Sequence, residues 1–260
     1  MADDGEDTTD RMSFLDHLEE LRGRLVRSLI ALLVGFALCW GFAERIFYFI
    51  TQPLRKAYPT IQFIYTEPTE AFMLYMKMAF FVGIFVAAPF ILYQVWAFIA
   101  PGLYTHEKAY AAPFIFFGSL FFILGGLFGH YILFPNTFSF LGEYAGSDMT
   151  FMPKVSEYYT FYSWFILGLG LVFQLPVIIF VVARIGLVTA GFLFRQTKYA
   201  VLASFVVSAV ITPSGDMVTQ SLLAVPLMGL YLLGVGVAWL FGRPRRTPEE
   251  NKALSAEVRS

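Results

Sequence analysis

The chain is poor in most of what a soluble catalyst or a nucleic-acid binder is built from. It has one cysteine in 260 residues, three histidines and only 14% charged residues, against roughly a quarter charged in ordinary soluble domains. A lone Cys39 inside an apolar run excludes a disulfide framework and a thiolate metal cluster. The histidines, His17, His106 and His130, are scattered, and neither HExxH nor GxSxG occurs. Glycine-rich pieces such as "GGLFG" lack a following Lys-Ser or Lys-Thr for phosphate and fit close helix approach instead. A net charge of −1 and the absence of a basic run with interleaved aromatics exclude nucleic acid as a partner. No nucleophile and base pair suits an intramembrane hydrolase. The sequence therefore predicts no enzyme, no metal site and no cofactor.

What is abundant is apolar surface. Hydrophobic residues make up 58% of the chain and the mean hydropathy is +0.66. Stretches near the roughly 20 residues that cross a bilayer as a helix recur throughout, which predicts helical spans rather than a barrel. Six are placed at about Leu25 to Ala43, Ala71 to Trp96, Ala111 to Phe134, Phe161 to Ala183, Tyr199 to Thr212 and Val218 to Phe241. The fifth is too short for a full crossing, so that either the membrane thins there or the protein is concave. The predicted organisation is an acidic, disordered tail over residues 1–12, one membrane domain over 13–241 and a polar tail over 242–260 with a basic start suited to anionic headgroups.

Orientation follows from Lys and Arg at the span ends. Of the 18 basic residues, 13 fall on the side that carries both termini and four on the other, with Lys77 inside a span. Both ends are therefore expected in the cytoplasm. The acidic amino terminus is unlike a secretory signal, so the first span is expected to be retained. The two long external connections, Glu44 to Glu70 and Pro135 to Thr160, are expected to form ordered caps with short helices.

Polar residues in costly places are the candidate functional groups. "FLDHLEELRGRL" reads as an amphipathic lead-in helix. Two readings stand for Glu20: an i,i+4 pair with Arg24, or a carboxylate facing a cleft. Two also stand for Glu107, in "PGLYTHEKAY": a solvated acid beside Lys108, or a guanidinium site in the aromatic setting of Trp96, Phe98 and Tyr104. Gln174, followed by Pro176 in the fourth span, either lines a polar recess or makes one interhelical hydrogen bond. Lys77 is read as snorkelling to the outer headgroups, Asp216 as the cap of the sixth helix, and Gln220 as a second lining of the recess. A small-molecule transporter would demand discontinuous spans and a charged midplane site, for which Gln174 and Lys77 are thin support.

Four stretches in order, "HLEELRGRL", "ILYQVWAFIAPGLYTHEK", "FQLPV" and "TPSGDMVTQSLLAVPL", resemble the TatC family, the multispanning subunit of the twin-arginine protein export system. The resemblance covers essentially the whole chain. It implies a six-helix, cup-like all-α membrane protein with short helices five and six, lying in a bacterial or archaeal cytoplasmic membrane. It implies recognition of twin-arginine signal peptides of folded cargo, assembly with single-span TatA and TatB subunits and with further copies of itself among membrane lipids, and transport driven by the proton-motive force. Carried over by position, Glu20 and Glu107 match the signal-peptide acids, with Arg22, Phe98, Pro101 and Tyr104 in the same binding segments. Gln174 falls where relatives carry glutamate or glutamine, and its amide does not titrate, which speaks against a direct proton relay there. Pro53, "TEPTEAF" and Asp216 match the external cap, Lys77 a basic position at the start of span two, and Gln220 the region of spans five and six that contacts the single-span partner.

Overall fold

The computed structural model describes residues 6–59, 61–99, 111–143, 151–184, 186–212 and 216–242, with the backbone alone at 6–16, 99, 111 and 143. Among the described residues ten α-helices follow one another: α1 (Glu6–Trp40), α2 (Ala43–Ala57), α3 (Glu70–Ile99), α4 (Ala111–Phe128), α5 (Phe134–Glu143), α6 (Val155–Val172), α7 (Leu175–Arg184), α8 (Ala190–Arg195), α9 (Thr197–Ile211) and α10 (Met217–Phe241). A π-helical turn, Gly129–Leu133, joins α4 to α5. Among the described residues there is no strand, only one isolated bridge. α1 begins at Glu6 and so reaches into the stretch expected as a disordered tail. The contacts divide the chain into two compact units, Met1–Gly170 and Leu171–Ser260, where the sequence predicts one membrane domain.

Five helical segments among the described residues are long and apolar enough to cross a membrane: His17–Trp40, Glu70–Phe98, Ala112–Gly142, Val155–Arg184 and Met217–Phe241. The shorter apolar helix Thr197–Ile211 is the sixth. Its 15 residues rise only about 22 Å, short of a hydrocarbon core of about 30 Å, as predicted for span five. Span six corrects the expectation of a short helix. α10 has 25 residues, a rise of about 37 Å, because its apolar run carries no charge and Pro226 lies within it without ending it.

In the first unit α1 packs along α3, and α3 along α4. Glycine sets the first of these contacts. A Cβ on Gly35 would lie 2.7 Å from Gly83 O, and one on Gly83 would lie 2.8 Å from Phe36 N, so the two backbones touch. Bulk fills the other side of α3. Phe81, Phe134, Tyr158, Tyr162 and Phe165 are buried, with Phe134 edge-on to the last three. Aromatic packing of this kind supplies both area and geometry.

The two long connections are structured over their described residues. α2 occupies the first, with Pro53 buried in it and Tyr58 Oη donating to Phe138 O of α5 (3.1 Å). Burial raises the Tyr58 phenol above its ordinary pKa. The second connection meets the first at the Ile64 and Lys154 bridge: Ile64 N donates to Pro153 O (3.2 Å) and Val155 N to Ile64 O (3.0 Å).

In the second unit α10 packs on α7, α8 and α9. Ile179, Ala183, Leu193 and Ala238 form its buried cluster, and Tyr231 Oη donates to Leu193 O (2.8 Å). Asp216 caps α10, its Oδ2 accepting from Thr219 N (2.6 Å). Asp216→Ala removes that acceptor, and loss of such a cap costs about 1 kcal/mol. Amide exchange in the first turn of α10 should accelerate about fivefold, which exchange mass spectrometry reads directly.

Candidate functional site

Glu20 lies on α1, one turn into the first segment of membrane-crossing length, His17–Trp40. Arg24 is one helical turn on, and both of its forks reach the same carboxylate oxygen: Nη2 at 2.6 Å and Nε at 3.0 Å from Oε1. His17 Nδ1 stands 3.7 Å from Oε2. The i,i+4 pair read from the sequence is therefore present, and it holds the carboxylate in a geometry that accepts a guanidinium. A recess of about 360 Å³ opens here, lined by Glu19, Glu20, Gly23, Arg24 and Arg27.

The far end of α3 closes on the same place. The Phe98 ring stacks on His17, with centroids 4.4 Å apart and planes 19° from parallel. Gln94, buried one turn earlier, accepts from Arg24 Nη1 (3.5 Å). The sequence reading missed Gln94. An amide close to the end of an apolar helix, on the same face as an aromatic four residues later, was the available signal. Arg22 is exposed on α1. Glu107, Pro101 and Tyr104 lie outside the described residues, as do Lys108 and the tail after Gly242.

Other candidates are dispersed. Gln174 is buried at the break between α6 and α7, where its carbonyl accepts from Val177 N and Ile178 N (2.9 Å each). Pro176 and this double acceptance explain a continuous apolar segment with an interrupted helix. Gln220 Nε2 donates to Phe205 O (2.9 Å) and ties α10 to α9. Lys77 is exposed at the edge of a second recess with Glu70 and Lys154. There Glu70 Oε2 accepts from Thr66 N (2.8 Å) and lies 4.0 Å from Lys154 Nζ. That cluster also escaped the sequence reading, because its members are distant in sequence.

A third missed group is the buried His130, on the π-helical turn. Its Nδ1 is 2.8 Å from Tyr162 Oη, its Nε2 is 3.4 Å from Gln52 Oε1, and Phe49 stacks on its face at 4.1 Å. With Tyr162 donating to Nδ1, the Nε2 hydrogen is left for Gln52. Tyr162→Phe would leave the buried ring nitrogen without its donor, a cost of about 1–3 kcal/mol. The double change Tyr162→Phe with His130→Leu should restore part of the lost thermal stability, since removing both partners avoids that orphan. Unfolding followed by the exposure of the buried Cys39 thiol checks both.

Among the described residues no cluster of metal ligands is present. Helices of membrane-crossing length, structured connections in their described parts and a polar recess on the first of them define an all-helical, multi-pass membrane protein. The family model described as "Sec-independent protein translocase protein (TatC)" matches residues 16–226, and the chain belongs to that family. It is 42% identical over 250 residues to the "Sec-independent protein translocase protein TatC" of Koribacter versatilis (strain Ellin345), covering 95% of this chain and 92% of the relative. The protein of the same description from Desulforapulum autotrophicum is 40% identical over 252 residues, covering 96% and 93%. Crystal structures of a "Twin Arginine Translocase Receptor- TatC", one of them in DDM, match at 35% identity. Their TM-scores are 0.72 and 0.74, and they cover 85% of this chain and 97% and 99% of their own. The chain is thus a subunit of a Tat protein translocase, a component of protein transport rather than an enzyme.

Proposed function

We propose that this subunit is the receptor for twin-arginine signal peptides and that it reads them at the recess around Glu20. The observation that carries the reading is the double approach of the Arg24 guanidinium to the Glu20 carboxylate, beside the stacked His17 and Phe98 rings. A carboxylate so placed receives a planar fork far better than an ammonium point charge. Glu107 supplies the second acid, so that two carboxylates meet two arginines, with Arg22, Phe98, Pro101 and Tyr104 in the surrounding segments.

In this reading both termini face the cytoplasm and the protein lies in a bacterial or archaeal cytoplasmic membrane. The excess of basic residues on the terminal side supports that orientation. The short α9 and the start of α10, tied together by the Gln220 side chain, receive a single-span TatA or TatB subunit, and several copies assemble into a larger complex. Transport of folded cargo draws on the proton-motive force. The amide of Gln174 keeps that residue out of the proton path.

The test is binding of a twin-arginine signal peptide and of its twin-lysine variant to the purified protein. The arginine peptide should bind at least tenfold more tightly. Equal binding of the two would leave only nonspecific membrane affinity and remove the receptor assignment.

A further inference from the structure

A second concavity adjoins the acid recess and shares only Arg27 with it. It is a groove of about 410 Å³ between α1 and α3. Small residues make its floor: Gly35 and Ala87 are buried and Ala31 is half-buried. Large exposed ones make its walls, with Val34 on one side and Phe90 on the other. The close approach of the two backbones at Gly35 and Gly83 sets its depth.

The dimensions and the single charge identify an occupant. From Arg27 at one end to Leu38 at the other is eleven residues of helix, a rise of about 16 Å. That is half of a hydrocarbon core of about 30 Å, the depth of one leaflet. The groove is apolar along this length and cationic at its mouth, where the exposed Arg27 stands next to a recess whose Glu20 is already engaged by Arg24. A guanidinium at headgroup depth binds phosphate with paired hydrogen bonds.

We infer that the groove between α1 and α3 is a binding site for one anionic phospholipid, its phosphate on Arg27 and one acyl chain over Ala31, Gly35 and Ala87. The site is independent of the peptide reading, since it requires only that α1 and α3 span the membrane. It places a fixed negative headgroup beside the Glu20 recess.

The experiment reconstitutes the full chain into nanodiscs of equal phosphatidylglycerol and phosphatidylethanolamine and counts the lipids retained by native mass spectrometry. The wild type should retain phosphatidylglycerol preferentially. Arg27→Gln, an exposed change that leaves the packing intact, should reduce that preference about fivefold, as expected for one basic group at the membrane surface. Arg27→Lys should keep most of it, and Arg45→Gln, an exposed change outside the groove, all of it. Ala31→Phe, which fills the floor, should lower retention of both lipids. Undiminished preference in Arg27→Gln overturns the site. So does undiminished retention in a folded Ala31→Phe protein, and so does photocrosslinking that places the apolar segment of a twin-arginine peptide in the groove with no lipid displaced.

Discussion

Glu107→Ala should lower the affinity for a twin-arginine peptide by roughly 30-fold or more, the usual scale for truncating one partner of a desolvated, hydrogen-bonded charge pair. The loss is larger than a surface ion pair would give, because exposed pairs contribute about 1 kcal/mol or less. Glu20→Ala should weaken binding by about tenfold. Its effect is smaller because Arg24 already occupies one oxygen of the carboxylate, and a peptide guanidinium gains only what exceeds that contact. Titration calorimetry with arginine and lysine peptides separates charge from shape. Against the lysine peptide both variants should lose much less than against the arginine peptide. Gln174→Ala, remote in sequence from the recess, should leave recognition unchanged. Binding within twofold of wild type by a protein lacking both acids would sink the assignment of this site.

Gly83→Val should produce a large loss of stability. The atoms that a Cβ would meet, Phe36 N at 2.8 Å and Gly35 C at 3.0 Å, are backbone and cannot rotate away. α1 and α3 must separate along their length, and overpacking of this kind costs about 1–3 kcal/mol, occasionally more. Gly83→Ala should cost less, and Gly229→Ala, with nothing within 4 Å of its added Cβ, should be neutral or slightly stabilising. Cys39, the only thiol, is buried in α1, so a thiol-reactive dye reports the melting temperature without any introduced label. A Gly83→Val protein that melts with the wild type would show that the helices need not touch there.

The parts of this architecture that depend on local pattern were legible. Apolar run length gave six spans and the brevity of α9, and the residue types gave the Asp216 cap and the Glu20 and Arg24 pair. What was hidden depends on distant parts of the chain meeting. His130 reads as an isolated residue, yet its partners Tyr162 and Gln52 come from α6 and α2. Gln94 reads as one amide in an apolar helix until Arg24, 70 residues earlier, reaches it. Periodicity cannot foresee such encounters, because it describes one helix at a time. The length of α10 is a different case. The expectation of a short sixth helix came with the family resemblance, whereas its own apolar run already had the length of a full crossing.

The bridge between Ile64 and Lys154 has a mechanical consequence. Its two hydrogen bonds clasp the connections that precede α3 and α6, and Glu70, at the head of α3, reaches both Thr66 and Lys154. The heads of α3 and α6 are thereby clamped like levers sharing one fulcrum. A change in the tilt of either helix must therefore be shared by the other or break the two hydrogen bonds of the clasp.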